Sequence, residues 1–142
     1  MARLLRVIHR EQCIGCYSCM YACSRHWFQA ITVEKAALRV KNYHGVEGAF
    51  SIRPCYGCID PDCARSCPTG ALTTRKGGGI KFDSELCAHC GLCVQACAPK
   101  ALQWDAFTEM PIPCHQCGIC VQFCPNDVIA MVDVPEGGET SA

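Results

Sequence analysis

The chain has no long apolar run. None of its 142 residues lie in a stretch approaching the roughly 18 apolar residues that cross a bilayer, so no direct membrane span is expected. Met1 to Arg10 lacks both an apolar core long enough for a secretion signal and a twin-arginine pair, which points to a cytoplasmic protein. Net charge is missing too. Thirteen basic residues balance thirteen acidic ones with no basic stripe, which removes electrostatic support for nucleic-acid binding. Neither the dinucleotide fingerprint G-x-G-x-x-G nor the phosphate loop G-x4-G-K-[ST] occurs. His9, His26 and His44 are scattered, and nothing resembles a catalytic constellation, so a non-catalytic chain is expected.

What is abundant is cysteine. The chain has sixteen, in four groups with none left over: Cys13, Cys16, Cys19, Cys23; Cys55, Cys58, Cys63, Cys67; Cys87, Cys90, Cys93, Cys97; Cys114, Cys117, Cys120, Cys124. Three groups read C-x2-C-x2-C-x3-C, and the second reads C-x2-C-x4-C-x3-C. Disulfide frameworks scatter cysteines so that distant loops can be tied. Zinc sites want two C-x2-C pairs on either side of a loop. The triplet with two-residue gaps and a closing cysteine three residues on is instead the bacterial [4Fe–4S] signature. Four such groups imply four [4Fe–4S] clusters with the sixteen thiolates as iron ligands. Thiolates that must stay reduced also fit the cytoplasm.

A cubane offers three irons on one face to a tight loop, while the fourth iron takes a thiolate from elsewhere. In two-cluster ferredoxins the fourth cysteine of each run serves the other cluster. Glycines beside the second cysteines (Gly15, Gly57, Gly91, Gly118) suit a backbone that turns sharply and aims N–H groups at sulfur. Each triplet is expected in a loop, with the fourth cysteine on a short helical turn. Pro68 and Pro125 directly follow a fourth cysteine, Pro99 comes one residue late, and the first group has Ser24 there instead. The apolar residues between cysteines, Ile14, Ile59, Leu92, Val94, Ile119, Val121 and Phe123, are expected to sheathe the clusters. His89 and His115 are read as surface donors, and Tyr17, Tyr56 and Trp104 as packing residues beside clusters.

Strands are expected at the apolar N-terminus (Leu4 to Ile8), at 37–40 and 49–52 as a hairpin around Gly45 and Gly48, and after each of the last three cysteine groups. Leu72 to Thr74 and Ile80 to Asp83 form a hairpin across Gly77-Gly78-Gly79. The expected fold is α+β, a tandem or nested double bacterial-ferredoxin-like fold. It would occupy 1–134 as one domain, with a hairpin insertion at 24–54 and a flexible tail at 135–142. Because the hairpin across the glycine run joins the second and third groups, a nested pairing is expected. Cys55, Cys58, Cys63 and Cys97 would hold one cluster, and Cys87, Cys90, Cys93 and Cys67 another. A third would use Cys13, Cys16, Cys19 and Cys124, and the last Cys114, Cys117, Cys120 and Cys23. Sequential pairing, first with second and third with fourth, stays open at this level.

The run from Cys55 to Cys67 followed by Pro-Thr-Gly-Ala-Leu, with its stretched gap, resembles the second cysteine group of the iron–sulfur subunits of dimethyl-sulfoxide-reductase-type molybdenum enzymes. The resemblance implies nested clusters and an electron-wire role. The fourth group, Cys114 to Cys124, is compact where that family usually carries a long insertion. In this and in its shorter chain it is similar to the small polyferredoxin subunit of tungsten aldehyde:ferredoxin-oxidoreductase-type enzymes. That resemblance implies a large catalytic partner holding tungsten or molybdenum pterin, with ferredoxin or a flavoprotein as the other redox partner, in anaerobic metabolism. The alternative is a free polyferredoxin shuttle. Trp27 and Phe28 are read as packing against the cluster region, with docking to a partner as the alternative; the aromatic insertion near Trp27, Phe28, Tyr43 and Phe50, with no charge excess, favours a subunit over a shuttle.

Overall fold

Leu4 and Leu5 are adjacent on one strand, and both are buried, at 1% and 2% exposure. A strand points neighbouring side chains to opposite faces, so this strand is covered on both sides. In the computed structural model, which describes residues 2–42 and 49–134, it is β1 (Ala2–Val7). It pairs antiparallel with the last strand, β8 (Ile129–Val134), from Ala2↔Val134 to Val7↔Ile129. Local patterning suggests both strands, but only the folded chain shows that they meet across its whole length.

The other strands make three more antiparallel pairs. β2 (Arg39–Asn42) pairs with β3 (Phe50–Arg53), β4 (Leu72–Thr74) with β5 (Ile80–Phe82), and β6 (Gln103–Asp105) with β7 (Met110–Ile112). The β4–β5 hairpin falls where the glycine run puts it. β2 begins at Arg39 rather than at Ala37, because the Ala37 N–H is given to Cys23 Sγ at 3.4 Å instead of to a strand partner. β7 has no expected counterpart. It contains Pro111, which is tolerated in this two-stranded edge ladder. The expected turn around Gly45 and Gly48, with Tyr43, and the tail at 135–142 lie outside the described residues.

Four helices carry the cysteine groups: α1 (Ser18–Phe28), α2 (Asp62–Arg65), α3 (Leu92–Ala96) and α4 (Ile119–Gln122). α1 packs on α4 beside the β1–β8 pair, and α2 packs on α3 beside β4–β5. The apolar core divides the same way. One cluster is built around Leu5, Met20, Leu38, Ile52 and Ile129, and a smaller one around Leu72, Ile80 and Leu102. The chain therefore has an outer set of elements from its two ends and an inner set from its middle. Among the described residues no helix is long and apolar enough to cross a membrane.

The helical turns start one cysteine earlier than expected. The third cysteine of each group (Cys19, Cys63, Cys93, Cys120) lies in the helix, while Cys67, Cys97 and Cys124 lie beyond the helix end. Cys23 is the exception, inside an 11-residue α1. Pro68 and Pro125 redirect the chain where Ser24 lets the helix continue. Ser24 is fully buried, donates from Oγ to the Tyr21 carbonyl at 3.2 Å and accepts from the Thr32 N–H at 3.3 Å. It thus ties down the segment that leads into β2.

Candidate iron–sulfur sites

All sixteen thiols are free. They line four separate cavities, four to each. Cys13, Cys16, Cys19 and Cys124 line one, and Cys23, Cys114, Cys117 and Cys120 the next. Cys55, Cys58, Cys63 and Cys97 line a third, and Cys67, Cys87, Cys90 and Cys93 the fourth. In every cavity three thiols of one group face the fourth of another. The groups brought together are the first with the fourth and the second with the third.

The backbone explains how each loop bends around its cavity. The residue before the second cysteine is left-handed in all four groups: Gly15, Gly57, His89 and Gln116, at φ of 69°, 65°, 59° and 54°. In the three compact groups the residue after it is left-handed as well, Tyr17, Gly91 and Gly118, and it opens the helix. At Gly118 the site is also crowded, since a Cβ there would stand 3.1 Å from Met131 Cγ.

Each fourth cysteine receives backbone N–H groups at its sulfur. Ala37 donates to Cys23 at 3.4 Å, Ala101 to Cys97 at 3.3 Å and Val128 to Cys124 at 3.4 Å. At Cys67 burial pushes the thiol up, but the amides of Leu72, Thr69 and Ala71 and the Thr69 hydroxyl outweigh it, bringing the pKa down to about 7.

At several third cysteines burial wins: it pushes the thiols of Cys19, Cys63 and Cys120 up to about 12, with neighbouring thiolates adding to the rise. Cys114 is raised well above its ordinary range for the same reasons. At exposed Cys16 a hydrogen bond from the Ser18 hydroxyl leads, and the pKa falls. Four crowded, desolvated thiols lose protons readily only around a cation, which inverts this balance. Among the described residues no three His, Cys, Asp or Glu side chains converge as on a single ion. A zinc site would hold its sulfurs about 2.3 Å from one point. Thiol-only donors around a void, with N–H groups aimed at sulfur, fit a cubane.

Packing shows which cavities are neighbours. Cys23 and Cys120 lie in the larger core cluster and Cys13 and Cys19 pack against it, so the Cys13 and Cys23 cavities adjoin. Gln116, in the loop between Cys114 and Cys117, bonds the Cys55 carbonyl at 2.9 Å, which brings the outer set against the inner one. Cys63 and Cys93 share the smaller core cluster, so the two inner cavities adjoin too.

The expected sheath is only partly there. Ile14 lines the Cys13 cavity and Ile119 the Cys114 cavity, whereas Ile59, Leu92 and Phe123 are exposed at 39%, 45% and 49% and line none of the four. A helical or tight-loop residue beside an inward cysteine points away from the cavity. The strands supply much of the apolar wall instead: Val40 and Ile52 over the Cys13 set, Leu72 and Phe82 over the Cys67 set, Ile80 beside Leu102 over the Cys55 set. Tyr17, Tyr56 and Trp104 each line a cavity. His89 is exposed, with Nδ1 2.8 Å from the Glu109 carbonyl. His115 lines the Cys114 cavity and stacks on Trp27, ring centroids 3.8 Å apart. Trp27 packs against the cluster region as expected, though its bond to Cys117 had no signal. The role of Gln116 had no expectation, and its one signal in the chain is that it stands where the first two groups have glycine.

Residues 54–101 match the 4Fe-4S dicluster domain, and residues 10–27 and 113–127 match the 4Fe-4S binding domain. This is a ferredoxin-like iron–sulfur chain. Its sixteen cysteines fit four [4Fe–4S] clusters. It is 33% identical over 97 residues to a tetrathionate reductase subunit of Archaeoglobus fulgidus, covering 67% of this chain and 45% of that protein. It is 31% identical over 104 residues to a selenate reductase subunit of Mesobacillus selenatarsenatis, covering 71% and 36%. It is 29% identical over 110 residues to one chain of the anaerobic dimethyl sulfoxide reductase of Haemophilus influenzae, covering 68% and 53%. The ferredoxin-like chain thus spans about half, or less, of the length of these curated relatives.

Proposed function

We propose that this chain is the electron-transfer subunit of a cytoplasmic oxidoreductase complex and is not itself catalytic. The observation that carries this reading is the row of four four-thiol cavities, each adjoining the next. Bound there, [4Fe–4S] clusters supply one-electron carriers. The ligand sets are those of the four cavities, so the chain is a nested double ferredoxin-like fold, with 1–134 as one domain and 24–54 inserted. The Cys13 set lies at one end of the row and the Cys67 set at the other. The protein's own part is spacing, N–H donors that tune potential, and strands that exclude water.

The partner is a large catalytic subunit carrying molybdenum or tungsten pterin, with ferredoxin or a flavoprotein subunit at the other end of the relay. That the relatives are themselves components of reductases with more than one subunit supports a catalytic partner. The compact fourth group, reached from Cys97 by the β6–β7 hairpin alone, supports the finer placement beside tungsten aldehyde-oxidoreductase-type enzymes. An open groove between α1 and α4, rimmed by Tyr21, Ile31 and Phe123 at 40%, 74% and 49% exposure, supports a stable interface over a free shuttle.

Affinity capture from anaerobic source cells, with metal analysis, tests the reading. A large co-purifying subunit with tungsten or molybdenum, and about sixteen irons per copy of this chain, is expected. Elution of the native protein alone as a small species would leave only the shuttle. A count near four irons would refute the four-cluster relay.

A further inference from the structure

Gln116, like His89, puts a side chain at a position that the first two cysteine groups give to glycine. Its left-handed position, at φ 54°, is occupied by glycine at Gly15 and Gly57. For a residue with a side chain this conformation is strained. Such strain persists where the surrounding structure imposes it.

The Gln116 side chain is 6% exposed, and both ends of its amide are bonded. Oε1 accepts from the Leu5 N–H at 2.7 Å, in β1 of the outer set. Nε2 donates to the Cys55 carbonyl at 2.9 Å, in the first loop of the inner set. Next to it, the His115 carbonyl accepts from Arg75 Nη1 at 2.9 Å, which again crosses from outer to inner. The seam beneath is tight. A Cβ on Gly57 would stand 2.7 Å from Leu4 Cδ2, and one on Gly78 would stand 2.4 Å from the Gly57 carbonyl oxygen. Leu4 therefore faces the seam while Leu5 packs into the outer core.

We propose that Gln116 is the positioning residue of the seam between the two halves of the relay. Its amide fixes how the Cys114 loop approaches the Cys55 loop, and so sets the coupling between the two middle centres. It also sets the potential of the centre held by Cys55, Cys58, Cys63 and Cys97. The step it governs is the passage of one electron across the seam, with no bond made or broken. This inference rests on the relay reading.

The test uses the full chain, purified anaerobically with its clusters, as wild type, Gln116→Leu and Gln116→Glu. Gln116→Leu removes both bonds. Gln116→Glu keeps an acceptor for Leu5 but loses the donor to Cys55 and adds negative charge there. Iron content, exchange of the Leu5 amide, and redox titration followed by electron paramagnetic resonance are measured. Both variants are expected to keep about sixteen irons. Gln116→Leu should speed Leu5 exchange on the order of tenfold to a hundredfold, whereas Gln116→Glu should leave it near wild type. Gln116→Glu should lower the potential of one centre of the four and weaken the spin–spin broadening between reduced neighbours. Should Gln116→Leu fail to fold, Gln116→Glu decides. A fully loaded Gln116→Glu with all four potentials and the broadening unchanged overturns the inference, and so does loss of iron from that variant, which would make the residue a structural support only. Iron near four in the wild type would sink the relay reading, and this inference with it. A loaded wild type beside silent variants would sink this inference alone.

Discussion

Trp27 Nε1 donates a hydrogen bond to Cys117 Sγ at 3.4 Å. The indole is 41% exposed, lies against His115 with 29° between ring planes, and meets the edge of His26. A surface aromatic thus reaches a thiol of the Cys114 cavity. Donors to sulfur raise the potential of an iron–sulfur centre. Trp27→Phe keeps a ring and loses the donor. If the bond contributes about 1 kcal/mol, one centre should become roughly 40 mV more negative with iron content unchanged. Redox titration of the variant against wild type reads this directly.

The cavities predict which cysteines act together. Cys58→Ser and Cys97→Ser should each perturb or delete the same paramagnetic centre, because both thiols line one cavity. Under sequential pairing Cys97→Ser would instead affect the centre of Cys114, Cys117 and Cys120. Spectra of the two single variants and of the Cys97→Ser, Cys117→Ser pair separate the schemes.

Lys35 Nζ lies 2.7 Å from Asp105 Oδ2, and the carboxylate is 5% exposed. The ammonium also sits over the rings of Phe28 and Phe107, at 5.3 and 5.8 Å. Burial alone would raise the Asp105 pKa. The bonds from Lys35, the Phe107 N–H and the Thr108 hydroxyl overcome it, and the net shift is downward. A depressed carboxyl stabilises the fold above its unfolded pKa of about 3.9, and that contribution is lost as pH falls through the folded value. Lys35→Met leaves the buried charge unpaired and should cost about 3 kcal/mol at neutral pH. The apparent midpoint for thermal loss of cluster absorbance should fall. The deficit should shrink as pH falls, because burial without Lys35 raises the Asp105 carboxyl, and protonation then removes the unpaired charge.

Iron removal should unfold most of the helical structure. α2, α3 and α4 have four, five and four residues, far below the roughly 12–15 at which isolated helices become even marginal in water. Anaerobic chelation should therefore collapse the far-ultraviolet helical signal along with the visible absorbance. A native-like spectrum after full chelation would show that the protein core suffices.

Much of the thiol arrangement was legible in advance because each triplet is local. Two-residue gaps place three sulfurs on one loop whatever surrounds it, and Gly15 and Gly57 mark where that loop turns left-handed. The β4–β5 hairpin was legible for the same reason, since Gly77 to Gly79 specify a turn between its own strands. The sheath was not. Leu92 and Phe123 look like insulation by composition, but their direction is set by the helix beneath them, and much of the wall comes from Val40, Ile52 and Leu72 on distant strands.

The order of residues alone specifies the donor set, the number of thiol groups and the turns around them, since each depends on residues a few positions apart. The glycine hairpin already pointed to the nested arrangement but left the sequential one open; the choice between them, the meeting of β1 with β8 and the Gln116 seam between the halves came only with packing in three dimensions. Each of these joins residues some 20 to over 100 positions apart, and burial and hydrogen bonding select such partners only once the chain has packed.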